Sequence, residues 1–158
     1  MKFRAMKKIL LFALCGLLVG CGPRKTLHKG KPAAQWEEAL RDPDPQVRRD
    51  AARALAALED SNAVPQLIQA LKDKDDKVRA NAAEALGSIG PPARDAVPDL
   101  ITALGDRNVD VRLNAAGALG SIGPDARSAV PALKEALKDS NPDVRDAAKK
   151  ALENIQGQ

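Results

Sequence analysis

Polar and apolar positions along this chain alternate in blocks that read as short amphipathic helices. In the stretch beginning at Ala63, apolar residues fall at Val64, Leu67, Ile68 and Leu71, the spacing of one helical face. A second stripe follows at Val78, Ala82, Ala85, Leu86 and Ile89, and returns at Val111, Ala115, Ala118, Leu119 and Ile122. Punctuation falls between the stripes. Asp44, Asp75, Asn108 and Asn141 stand where second helices should be capped, with Pro45 and Pro142 at the favoured first position. Asn62, Asp95 and Ser128 are expected to cap the first helices, whose opening turns hold Pro65, Pro98 and Pro131. Gly90-Pro91 and Gly123-Pro124 should end the second helices, since Gly suits a left-handed exit and Pro cannot continue a helix.

The whole helix pair recurs. Units starting at Ala63, Ala96 and Ala129 lie 33 residues apart, and a weaker copy starts at Ala33, with Trp36 where the others have Leu67, Leu100 and Leu133. Four repeats are thus expected, at about 33–60, 63–93, 96–126 and 129–156. One pair of short helices cannot bury its own apolar face, whereas stacked neighbours can. The last unit departs from the others: Lys149 replaces the Ala of Ala52, Ala83 and Ala116, and Glu153-Asn154 replaces Gly-Ser. A polar outer face suits a terminal cap. Trp36 suits a cap at the other end.

The pattern D-x4-V-R-x2-A-A-x-A-L-G-x-I-G, running over Ala33–Ile155, resembles the short HEAT-type repeat of the bilin-lyase family, a compact armadillo-like variety. The resemblance implies an all-α fold, a right-handed α-solenoid of four two-helix repeats. It also implies a structural Asp–Arg ladder between repeats, built from Asp42 and Arg48, Asp73 and Arg79, Asp106 and Arg112, and Asp139 and Arg145. Ankyrin units share the period, but their Thr-Pro-Leu-His turn is missing. Tetratricopeptide units need aromatic positions that this chain lacks.

The first residues tell a separate story. MKFRAMKKILLFALCGLLVGC has a basic start and an apolar run from Ile9 to Val19, too short to span a bilayer but fit for a signal-peptide core. Its ending, Leu18-Val19-Gly20-Cys21, resembles the bacterial lipobox at all four positions. That resemblance implies diacylglycerol on the Cys21 sulfur, cleavage before Cys21 and acylation of the new amino terminus. Residues 1–20 would be the signal and 21–32 a lipidated Cys followed by a flexible basic tether. Cys15 would leave with the signal, so the mature chain would hold neither a free thiol nor a disulfide. Two or three acyl chains hold a protein on a membrane far more firmly than one. Arg24, Lys25, Lys29 and Lys31 suit either anionic headgroups or a plain soluble linker. Gly22 is not the Asp associated with inner-membrane retention in enteric bacteria, which favours an outer membrane where one exists. The expected place is a cell membrane or outer membrane, facing the periplasm or extracytoplasmic space.

Composition then removes whole classes of function. The pI of about 9.2 comes from the first 31 residues; from Pro32 onward 17 basic residues face 21 acidic ones, a net charge of −4. With Trp36 as the repeats' one aromatic, the body lacks the phosphate-neutralising surface and stacking platform that nucleic acid requires. No catalytic residue, metal ligand or cofactor site is expected: there is no Ser/His/Asp set, no Cys/His pair and no phosphate-cradling loop. His28 is the single histidine. Relatives of this repeat include bilin lyases and a di-iron hydroxylase, which keeps an enzyme or enzyme-accessory role as the alternative. The hydroxylase type needs several His-Glu pairs, and this chain has none.

The expected role is a non-enzymatic scaffold whose partner is another protein, with no small-molecule substrate evident. The face lined by the second helices is concave in HEAT-like solenoids. Positions two, three and six after the Val of each unit should point away from the buried stripe: Arg49, Asp50 and Arg53; Ala80, Asn81 and Glu84; Leu113, Asn114 and Gly117; Asp146, Ala147 and Lys150. These positions differ most between units. Leu113 beside Gly117 has the make-up of an apolar anchor ringed by polar groups.

Overall fold

The computed structural model describes residues 27–157. The expected signal peptide, Cys21 and the start of the tether lie outside them. Eight α-helices form among the described residues: α1 (Ala33–Ala39), α2 (Pro45–Leu58), α3 (Val64–Ala70), α4 (Asp76–Ile89), α5 (Val97–Ala103), α6 (Val109–Ile122), α7 (Val130–Ala136) and α8 (Pro142–Gln156). They make four helix pairs in an α-solenoid. The second helices stack directly, α2 on α4 on α6 on α8, while the first helices form a looser outer layer.

Second helices start as their sequence directs. Asp44 accepts from the Gln46 N–H, Asp75 from Val78, and Asn108 and Asn141 each from the residues two and three positions on. First helices do not. A 3₁₀ segment leads into each of α3, α5 and α7, at Ser61–Ala63, Pro91–Ala96 and Gly123–Ala129, so each helix begins at the Val. Ala63, Ala96 and Ala129 then occupy the cap position, and no side chain caps it. Asn62, Asp95 and Ser128 therefore cap nothing there; the 3₁₀ turn supplies the partners that a cap would. Gly90 and Gly123 have φ of 71° and 74° with ψ of −138°. That is an extended mirror conformation rather than a left-handed helical one, closed to residues with a Cβ. The prolines after them open the 3₁₀ turn.

A second departure is at the amino-terminal end. Leu27–His28 and Lys31–Pro32 pair as an antiparallel hairpin around Lys29 and Gly30, which have φ of 48° and 75°. Residues 27–32 are therefore ordered against the first repeat instead of tether. Trp36 holds them: its Nε1 donates to the His28 carbonyl at 3.4 Å, Lys31 Nζ lies 4.8 Å from its ring centroid, and the His28 ring meets it edge-on. Trp36 is buried as the cap that the sequence led us to expect.

The core is a continuous run of Leu, Val, Ile and Ala through all four repeats. Val78, Leu86, Val111, Leu119 and Val144 are wholly enclosed, each contributing about 1.5–3 kcal/mol of apolar burial. Small residues set the spacing between repeats. A Cβ built on Gly87 would stand 3.1 Å from the Cα of Ala118, and one on Gly120 would stand 3.0 Å from the Cα of Ala151. Gly117, one turn earlier on the same helix, has nothing within 4 Å. Two substitutions in α6 should therefore move stability in opposite directions. Gly117→Ala should raise it by up to about 1 kcal/mol through helix propensity alone. Gly120→Ala should lower it, because the added methyl meets backbone. Urea unfolding of both variants checks this, and a stabilising Gly120→Ala would contradict the packing.

Candidate interaction surface

Each second helix carries two stripes that matter to its surface. Positions one, five and nine after the Val face the following repeat: Arg48, Ala52 and Ala56; Arg79, Ala83 and Gly87; Arg112, Ala116 and Gly120. The Arg of this forward stripe builds the ladder. Arg48 donates from Nε and Nη2 to the Asp73 carboxylate at 2.7 and 2.9 Å; Arg79 binds Asp106 at the same distances, and Arg112 binds Asp139 at 2.7 and 3.0 Å. The six-residue Asp–Arg spacing within a unit does something else. Arg48 Nη1 donates to the carbonyls of Asp42 and Pro43, and Arg79, Arg112 and Arg145 do the same in their units. Among the described residues no Arg of a preceding repeat reaches Asp42, and its carboxylate accepts the Asp44 N–H. Arg145 binds no carboxylate of a following repeat among the described residues.

The rung carboxylates are held ionised. Burial alone would push Asp73 and Asp106 up, but Arg48 and Arg79, helped by backbone N–H donors, bring both below the ordinary range. Hydrogen bonding to Arg112 lowers Asp139. A further pair occurs once. Arg49 grips Asp75 through Nε at 2.9 Å and again through Nη2, and Asp75 also caps α4. The Arg49 bond, with help from the Val78 N–H, lowers Asp75 to about 2.

The stripe at positions two, three and six is the candidate surface, and it divides. Arg53, Glu84, Gly117 and Lys150 are exposed, as is Asp146. Arg49, Asp50, Leu113, Asn114 and Ala147 are half-buried, and Arg49 is committed to Asp75. Leu113 stands outside the core cluster. Ala80 and Asn81 are buried, so neither offers the open contact expected of it. The reason is a stitch that sequence reasoning missed. Asn81 Nδ2 donates to the Arg49 carbonyl at 3.2 Å, and Asn114 Nδ2 to the Ala80 carbonyl at 3.0 Å, each reaching back one repeat. Its signal was present: Asn recurs at position three in two successive units. What remains open is Arg53, Glu84, Gly117, Asp146 and Lys150, with Asp50, Leu113, Asn114 and Ala147 half-buried beside them.

The outer layer offers one alternative, a cleft of about 260 Å³ between α1 and α3 lined by Leu40, Arg41, Pro65, Gln66, Gln69, Ala70 and Asp73. Gln66 Nε2 donates to Glu37 there, and its Oε1 has no partner. No group of three or more His, Cys, Asp or Glu residues among the described residues is placed to hold a metal ion, and no helix among them is long and apolar enough to cross a membrane.

The family profile of HEAT repeats matches residues 33–101 and 97–158. The chain belongs to the HEAT-repeat family. Among solved structures, it is similar to the CpcE–CpcF complex of phycocyanin lyase from Nostoc sp. PCC7120, at 29% identity and a TM-score of 0.71 over 80% of this chain and 53% of that one. It is similar to an engineered protein at 27% identity and a TM-score of 0.67, over 79% and 62%. Human deoxyhypusine hydroxylase in complex with glycerol matches at 27% identity and a TM-score of 0.66, over 83% and 46%. The chain therefore spans about half to two-thirds of the length of these structures. No curated protein matches it in sequence. The HEAT-repeat family and the α-solenoid make the molecule a repeat scaffold, a fold that supports protein interaction.

Arg79→Ala should cost about 2–4 kcal/mol, because it strands a part-buried carboxylate, whereas Arg145→Ala, with no rung to break, should cost well under half of that. Chemical denaturation of the two variants decides. The lowered carboxylates contribute stability that is fully present above their unfolded value of about 3.9 and is lost as pH falls through their folded values. Acid unfolding should therefore set in below about pH 4. Arg49→Ala should return the Asp75 titration from about 2 to the ordinary carboxylate range, read from its side-chain carbonyl shift by NMR.

Proposed function

We propose that this chain is a non-enzymatic protein-binding scaffold, tethered to a bacterial envelope membrane by lipid on Cys21, that captures its partner on the inner face of the repeats. The observation that carries the binding role is the accessible strip across repeats two and three. Leu113, half-buried and outside the core, lies next to Asn114 and one turn before the open site at Gly117, with Glu84 on the neighbouring repeat. An apolar anchor with a polar rim is the usual composition of an energetic hot spot. The similar phycocyanin-lyase structure is a complex of CpcE with CpcF, which lends weight to a protein partner. Support for the anchor is the Leu18-Val19-Gly20-Cys21 sequence and the basic, then apolar, stretch before it.

Leu113→Asp should weaken capture of envelope proteins from detergent-solubilised membranes by more than about tenfold, leaving the melting temperature nearly unchanged. Unfolding would place Leu113 in the core instead, and unchanged capture would move the site off this face. Cys21→Ser should leave the precursor uncleaved and without the mass increase of acylation, while the repeats keep their helical circular dichroism. Normal processing of that variant would remove the anchor from the reading. A second reading, an enzyme or enzyme accessory, is favoured by the 29% identity to the lyase structure. Bilin transfer by the purified chain would establish it.

A further inference from the structure

The two ends of the solenoid differ. At the amino-terminal end the hairpin of residues 27–32 packs against both α1 and α2, occupying the place a preceding repeat would take. At the other end the forward stripe of α8 meets no further repeat among the described residues. Its apolar neighbours show the loss. Leu137 is 39% exposed, whereas Leu71 and Leu104, its equivalents, are 6% and 9% exposed. Val130 and Leu152 are half-buried where Val64, Val97, Leu86 and Leu119 are buried.

The forward stripe itself changes character. Where internal repeats have Arg-Ala-Gly, α8 has Arg145, Lys149 and Glu153. Glu153 stands where Gly87 and Gly120 leave only 3.1 and 3.0 Å between an added Cβ and the next helix, so a repeat stacked at that spacing would meet the Glu153 side chain. Lys149 and Glu153 are exposed and carry opposite charges one turn apart. No salt bridge joins them, and neither has another ionic partner among the described residues. The order Lys-then-Glu is the less favourable one within a helix.

We infer that this end is a self-complementary interface for a second copy of the chain. Two α8 helices crossing antiparallel about a two-fold axis near Ala151 bring Lys149 of each against Glu153 of the other. The exposed Leu137 and half-buried Val130 and Leu152 flank the contact. The hairpin at one end and Glu153 at the other work against a head-to-tail stack, whereas the Lys149–Glu153 pair complements itself in a closed, isologous arrangement. This interface goes beyond the inner-face reading and leaves that face open in both copies.

Sedimentation velocity of the full chain in detergent, over a concentration series, tests it. The wild type should self-associate to a dimer that weakens with added salt. Lys149→Glu and Glu153→Lys should each weaken the dimer by about tenfold or more, since each turns two attractions into two repulsions. The double variant Lys149→Glu/Glu153→Lys should restore it. Circular dichroism of each variant confirms the fold, and recovery in the double variant cannot arise from an unfolded chain. A wild type that stays monomeric, single variants that dimerise as well as the wild type, or a double variant no better than the singles would each overturn the interface. Because partner capture is measured with Leu113→Asp, failure of either reading leaves the other distinguishable.

Discussion

Everything in this fold depends on how closely one second helix can approach the next. The limit is about one methyl group. Gly87 and Gly120 face the backbone of Ala118 and Ala151 so tightly that a Cβ would touch a Cα. Close approach is what lets short helices, none of which could bury a core alone, share one. It also brings the Arg of one repeat within reach of the Asp in the loop before the next second helix. The ladder accompanies this spacing: Arg79 and Arg112 make their 2.7 Å bonds across the two Gly contacts, and Arg48 makes the same bond where Ala56 takes the equivalent place.

The ladder in turn locks the loops. Each internal guanidinium binds a carboxylate ahead of it and two carbonyls of its own repeat, so one side chain satisfies groups on both sides of a repeat boundary. The Asp it grips also accepts a backbone N–H two residues on, as Asp73 does from Asp75. A part-buried ion pair gains little in isolation. Here its geometry is repeated, bidentate and tied to helix starts, so its work is to fix register between units.

Fold and site were legible to different degrees. Second helices could be read because their N-caps and stripes act locally, and Asp44, Asp75, Asn108 and Asn141 behave as their side chains dictate. First helices were misread at their starts, because a 3₁₀ turn satisfies the same donors without a side chain. The lead to the first repeat was read as wholly loose because its order comes from Trp36, eight residues away from His28. At the candidate surface, phase alone put Asn81 outward. The amide instead turns back to a carbonyl of the previous repeat, a contact that only the stacked structure supplies. Arg53, Glu84 and Gly117 have no such neighbour and lie where phase places them.

The docked hairpin has a mechanical meaning. A two-stranded ribbon joined by a 3.4 Å hydrogen bond, a lysine over an indole and an edge-on imidazole lies outside the core that the repeats share. Tension applied at the amino-terminal side would unzip residues 27–32 first, paying out about 20 Å of slack before the first helix pair bears load. A chain fastened at that side and gripped elsewhere would therefore meet a pull with extension, and only afterwards with stiffness.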